Sequence, residues 1–145
     1  MNAGDADWEV YLSELLKLSG SDFCSVASYD TSARQIRWIA ASGNTNEKFR
    51  HIVNRPSQGM TGEVIRIART VQKICTTDEQ RRNSDSIMLA ERLIVAAATP
   101  ISSANNEIVG ILLIGRRTDR LYTATELTML ENAAKCLSIN TETAS

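Results

Sequence analysis

Apolar residues recur along this chain with two different periods, and the changes between them mark the elements. Trp8, Tyr11, Leu12, Leu15 and Leu16 stand at i, i+3, i+4, i+7 and i+8, the spacing of one helical face. The span reads as Asp7 to Leu18, and Gly20 is placed to stop it. Phe23 to Tyr29 then reads as a strand, Asp30-Thr31-Ser32-Ala33 as a turn, and Arg34 to Ala41 as a second strand of the same hairpin. The two-residue period places Ile36, Trp38 and Ala40 on one face of that second strand. Asn44 to Asn54 carries Phe49, Ile52 and Val53 on one side and predicts a short helix. Arg55-Pro56-Ser57-Gln58-Gly59 breaks it.

Thr61 to Ala68 predicts the next short helix, and Val71 to Cys75 a short strand. Thr77-Asp78-Glu79-Gln80 has the form of a capping box. Arg81 to Ser86 is polar and reads as a weakly structured, mobile lid, followed by one or two helical turns over Ser86 to Arg92. Leu93 to Ile101 and Glu107 to Gly115 are strongly apolar strands joined by a turn at Ser102 to Asn106. Thr123-Ala124-Thr125-Glu126 is a second capping box, opening a helix with Leu127, Leu130, Ala134 and Leu137 on one stripe. Asn140 to Ser145 is expected to fray. Five strands connected largely by hairpins predict an antiparallel sheet, hence an α+β fold with a single domain over 1–145. The terminal helices need one sheet face for their apolar stripes. The short middle elements cover the other and leave room for a pocket.

Composition narrows the function classes. A chain of 145 residues buries roughly 70% of its unfolded surface, enough for one core. With 43% hydrophobic and 23% charged residues it resembles an ordinary globular domain. The formal net charge of -1 gives no basic field to attract nucleic acid. Cys24, Cys75 and Cys136 are too scattered for a disulfide framework or a zinc site, and they read as buried free thiols. No basic stretch leads into an apolar run at the start, and Leu93 to Ala98 is too short to span a bilayer, so neither export nor a membrane is expected and the cytoplasm is the expected compartment. No metal or cofactor is implied.

The candidate chemistry lies in two places. Ile36 to Gly43 is a tryptophan-bearing strand ending at a glycine, and Gly59-Met60-Thr61-Gly62-Glu63-Val64 is a glycine-bracketed turn opening a helix. A helix start has unpaired N–H groups and the positive end of the helix dipole, so a small anion suits it. An aromatic on a nearby strand could wall the same pocket. Asp85 is close in sequence to Ile87, and a carboxylate facing the pocket would oppose a bound anion.

Over essentially its full length the chain resembles a GAF domain. The resemblance is carried by Ile36 to Ala41 with Gly43, by the Gly59 to Val64 turn, by Thr99-Pro100-Ile101, by Ile108 to Gly115, and by Tyr122-Thr123 with Glu126, Leu127 and Leu130. It implies a central antiparallel sheet, terminal helices on one face and a small-molecule pocket on the other. Several members of the family fit poorly. The free methionine sulfoxide reductases carry a catalytic cysteine in the glycine-bracketed turn, which here holds Met60 and Thr61. Bilin-binding members use a Cys-His pair, which this chain lacks. A haem member needs an axial ligand, and the lone His51 reads as a surface residue. Asn46-Glu47-Lys48-Phe49 does not reproduce the cyclic-nucleotide signature.

The best resemblance is to stand-alone nitrate-receptor GAF proteins, which modulate a sensor histidine kinase. Its residues are Ile36-Arg37-Trp38 with Ala41 to Asn44, Arg55-Pro56 with Gly59 and Gly62, and Ile87-Met88-Leu89-Ala90-Glu91. It implies a non-enzymatic sensor in which Trp38, Met60, Gly62 and Ile87 line a nitrate site, with N–H groups around Thr61 meeting the anion. A second expectation is an interaction module with an empty pocket, paired into a homodimer through its terminal helices.

Overall fold

The computed structural model describes the backbone of residues 5–144 and the side chains of residues 7–137. Its elements in chain order are α1 (Asp5–Ser19), β1 (Phe23–Asp30), β2 (Gln35–Ser42), a 3-10 turn (Lys48–His51), β3 (Val53–Asn54), α2 (Gly59–Ile67), β4 (Val71–Ile74), α3 (Asp78–Ser84), α4 (Ser86–Glu91), β5 (Val95–Ser102), β6 (Ile108–Arg116) and α5 (Ala124–Ala144). The strands form one antiparallel sheet in the order β3-β2-β1-β6-β5-β4. Among the described residues, no helix is long and apolar enough to cross a membrane.

The sheet has six strands rather than the five expected. The extra one is β3, which occupies the end of the segment predicted as a helix from Asn44 to Asn54. Val53 pairs with Arg37 and Asn54 with Ile36. The helix does not form because asparagines upstream capture local backbone groups. The Asn44 amide donates to the Asn46 carbonyl at 2.8 Å, and Lys48 N–H donates to the Asn46 side chain at 2.8 Å. Such bonds compete with a helical ladder.

Two apolar clusters lie on opposite sheet faces. One packs α1 and α5 against the sheet through Trp8, Leu12, Leu15, Val26, Leu112, Ile114 and Leu130. The other holds Phe23, Ile36, Trp38, Phe49, Met60, Val64, Ile87 and Leu93 under the short middle elements. The expected division of faces is therefore present. One detail differs. Ala27 pairs with Trp38 and Val26 with Ala40, so Ile39 is an extra residue, a β-bulge. The bulge turns Ala40 to the terminal-helix face, away from Ile36 and Trp38, and Ala41 replaces it beside them.

The polar segment from Arg81 to Ser86 is not a loose lid. The capping box at Thr77 and Gln80 starts α3, and both of its reciprocal bonds are made. Buried Arg81 then ties α3 down by donating to the Leu93 carbonyl at 2.7 Å and to Asp78 at 2.8 Å. The second predicted capping box is also made. Thr123 N–H donates to Glu126 at 2.8 Å, and Glu126 N–H donates back to the Thr123 hydroxyl at 3.2 Å. The Thr123 N–H bond to the carboxylate, followed by Arg116, holds the Glu126 carboxyl below the usual range. α5 runs on to Ala144, beyond the Asn140 at which fraying was expected; Ser145 lies outside the described residues. Cys24 and Cys75 are buried, whereas Cys136 is exposed on α5, contrary to the expectation of three buried thiols.

Candidate functional site

The glycine-bracketed turn begins its helix two residues earlier than predicted, at Gly59 rather than Thr61. Gln58 takes the cap position without a side-chain bond, so the first N–H groups of α2 need partners elsewhere. Gly59 has φ +69, and a Cβ there would lie 2.9 Å from the Ser84 carbonyl and 3.0 Å from the Asp85 carboxylate. Gly62 is required by contact rather than by dihedral angle. A Cβ on it would meet the carbonyl oxygens of Arg55 and Pro56, each at 2.8 Å.

Asp85 is the single residue between α3 and α4, with extended backbone, and it is only 4% exposed. Its side chain caps α4, as aspartate does at such a position. It also does more than cap. One carboxylate oxygen accepts from Thr61 N–H at 2.9 Å and from the Thr61 hydroxyl at 2.7 Å. The other accepts from the Asn54 amide at 3.0 Å and from Ile87 N–H at 3.2 Å. Asn54 donates in addition to the Thr61 hydroxyl at 2.8 Å. Donors from β3, α2 and α4 thus converge on one planar anionic group. Asp85, Asn54, Thr61 and Ile87 are all themselves buried.

The structure places all five predicted site residues on one side of the sheet, in or beside the cluster under the short middle elements. Trp38, Met60 and Ile87 belong to one buried cluster, and Thr61 and Gly62 stand in the first turn of α2 above it. All five are closed off from solvent. The Trp38 indole N–H is buried with no hydrogen-bond partner among the described residues. A donor in that state costs about 1–3 kcal/mol. Open space adjoins the cluster in two places: beside Asp85, a cavity of about 410 Å³ lined by Asn54, Gln58, Gly59, Arg82, Asn83, Ser84, Asp85 and Ser86, and beside Met60, one of about 510 Å³ bordered by Gly59, Glu63, Lys73 and Cys75. A larger groove of about 790 Å³, lined by Arg69, Thr70, Thr99, Glu131 and Lys135 among others, lies away from this cluster.

Asn54 was missed in the sequence because it lay in a predicted helix. The sequence offers Asp85 only as a hazard to an anion. Its position immediately before a helical turn was the available signal, since the cap preference places its carboxylate on backbone N–H groups. A second buried carboxylate, Glu91, flanks the region. It accepts from Thr45 N–H at 2.8 Å and from Arg117 at 2.7 Å, while its other oxygen is buried without a partner among the described residues. Cys24 lies on the opposite face, where burial pushes its thiol pKa up and keeps it protonated.

Comparison with known proteins places the fold. No curated protein matches the chain. Among solved structures, a Staphylococcus aureus NreA protein mutated in its nitrate binding site is similar at 27% identity, over 82% of this chain and 89% of that one, with a TM-score of 0.71. A second such NreA structure from the same organism is similar at 26% identity over 86% and 98%, with a TM-score of 0.70. The GAF domain of a Coxiella burnetii phosphoenolpyruvate-protein phosphotransferase shares the fold at 18% identity, over 98% of this chain and 85% of that one, with a TM-score of 0.81. The family model for the GAF domain matches residues 9–140, and the chain belongs to that family.

Proposed function

We propose that this chain is a cytoplasmic sensor module that takes a small, planar, singly charged anion, nitrate first among them, and passes its occupancy by contact to a sensor histidine kinase. The site is formed by Trp38, Met60, Thr61, Gly62 and Ile87. One observation carries the reading: N–H groups of Thr61 and Ile87, from two different helices, converge on a single carboxylate. Nitrate matches a carboxylate in planarity and charge, so donors arranged for one can serve the other. The orphan Trp38 indole N–H supplies a further donor in the same buried cluster. No lysine or arginine touches the Asp85 carboxylate in the described contacts, which disfavours doubly charged sulfate or phosphate. The similarity to NreA proteins supports nitrate as the first ligand to test.

The test is calorimetry and thermal shift with nitrate, chloride and sulfate. Nitrate is expected to bind selectively, and Trp38→Phe to weaken it. No heat and no shift with nitrate in the native protein sinks the nitrate reading.

A second reading has its own observation. Asp85 already uses the donors that an anion would need, as an interaction module with a self-filled site would have it. Val10 and Leu18 on α1 are 62% and 70% exposed, apolar surface that a homodimer through the terminal helices would cover. Light scattering distinguishes a monomer from that dimer.

A further inference from the structure

We infer that Asp85 is a tethered occupant of the oxyanion site, so that a free anion enters only by displacing its carboxylate. The inference rests on the reading of Thr61 and Ile87 as oxyanion donors. Four donor contacts hold the carboxylate, two on each oxygen, and all lie between 2.7 and 3.2 Å. A second anion cannot share those donors, because like charges at contact in a buried place repel strongly. Occupancy by Asp85 and by ligand are therefore exclusive.

The surroundings provide a route for the exchange. Asp85 is the one residue linking α3 to α4, so rotating its side chain outward needs no helix to unfold. Outward lies the cavity of about 410 Å³, with exposed Arg82 in its wall to receive the displaced carboxylate. The same rotation takes the cap from α4, which carries Ile87. Ligand entry would thus be felt at the α3–α4 junction. This gives the module a threshold. A tethered group competes at an effective concentration of about millimolar or above, so only a ligand at comparable supply wins. The class admitted is the planar, singly charged oxyanion: nitrate, formate or another small carboxylate.

The experiment compares the native chain with Asp85→Ala, titrating each with sodium formate, nitrate, chloride and sulfate at matched ionic strength. Asp85→Ala is expected to lower the thermal midpoint, and formate or nitrate to restore it where chloride and sulfate do not. At least one planar oxyanion should bind Asp85→Ala about tenfold or more tighter than it binds the native chain. Equal affinities in the two proteins overturn the inference and leave the nitrate reading standing. Formate rescue of Asp85→Ala, with nitrate binding neither protein, supports the inference and removes nitrate. Failure of every anion on Asp85→Ala overturns the tethered occupant. Should Asp85→Ala not fold, Asp85→Asn keeps the shape without the charge. The amide resonances of Thr61 and Ile87 then report directly, and anion-dependent shifts must exceed those of the native chain for the inference to stand.

Discussion

Gly62 shows how a residue can set the approach of two segments without a side chain of its own. In the interior of a helix, glycine costs about 1 kcal/mol relative to alanine, so Gly62→Ala would be stabilising on propensity alone. Here the added methyl would lie 2.8 Å from two backbone oxygens, those of Arg55 and Pro56, which cannot rotate away as a side-chain tip would. Overpacking of that kind costs about 1–3 kcal/mol, so the clash outweighs the propensity gain. Gly62→Ala is expected to lower the denaturation midpoint and to push the start of α2 away from Asp85. A variant at least as stable as the native chain would contradict this account of the close approach. The bulge at Ile39 works at the same scale. One inserted residue leaves Trp38 in the cluster with Ile36, Met60 and Ile87 and sends Ala40 to the opposite layer.

At the scale of elements, the two capping boxes give the same motif two different jobs. The Thr77 box starts a helix of 7 residues, too short to persist on its own propensity and held in place by Arg81. The Thr123 box starts a helix of 21 residues packed on the sheet. Removing either cap costs about 0.5–2 kcal/mol. Thr77→Ala is expected to speed hydrogen exchange over residues 78–84 with little change in the global midpoint. Thr123→Ala should lower the global midpoint instead. Equal local exchange in native and Thr77→Ala chains would show that Arg81 alone holds α3. Both boxes were legible in the sequence, as were the hairpins and the two strong strands, because each is specified by neighbours within a few positions. What was not legible depends on pairing across the fold. β3 needs Arg37 and Ile36 beside it, the bulge needs the register of β1, and α3 needs the Leu93 carbonyl for Arg81. The site followed the same division. Trp38 and the glycines could be read locally and Ile87 only through the family resemblance, but the place of Asp85 is decided by donors from three elements.

The described residues form two apolar layers on one sheet, each with its own polar fastenings. The layer of short middle elements is tied by the Asp85 carboxylate and by Arg81, and the terminal-helix layer by phenols and Arg116. Tyr11 on α1 donates to the Ala133 carbonyl on α5 at 2.9 Å, and Tyr122 shares a 2.7 Å hydrogen bond with Ser21. Arg116 is 1% exposed, lies 3.9 Å over the Tyr122 ring and donates to the carbonyls of Ser19, Gly20, Arg120 and Leu121. Burial pushes the Tyr11 phenol up to about 12, with smaller contributions from Cys136 and Cys24. Burial raises Tyr122 as well, against the Ser21 hydrogen bond and the Arg116 charge, which lower it. An unfolded phenol titrates near 10. The folded state therefore keeps these protons to higher pH than the unfolded state does. The stability they bring is complete below about pH 10 and is lost as the pH rises from there through about 12 for Tyr11. The thermal midpoint is expected to fall across that window, with phenolate absorbance growing in step with loss of the fold. Tyr11→Phe removes one titrating group and the bond to α5, so it should start less stable and fall less steeply. Its pH profile overlaying the native one, merely displaced, would take Tyr11 out of the alkaline transition. Because these phenols fasten the layer opposite Thr61 and Ile87, the early stage of that transition should loosen α1 and α5 before it disturbs the oxyanion donors.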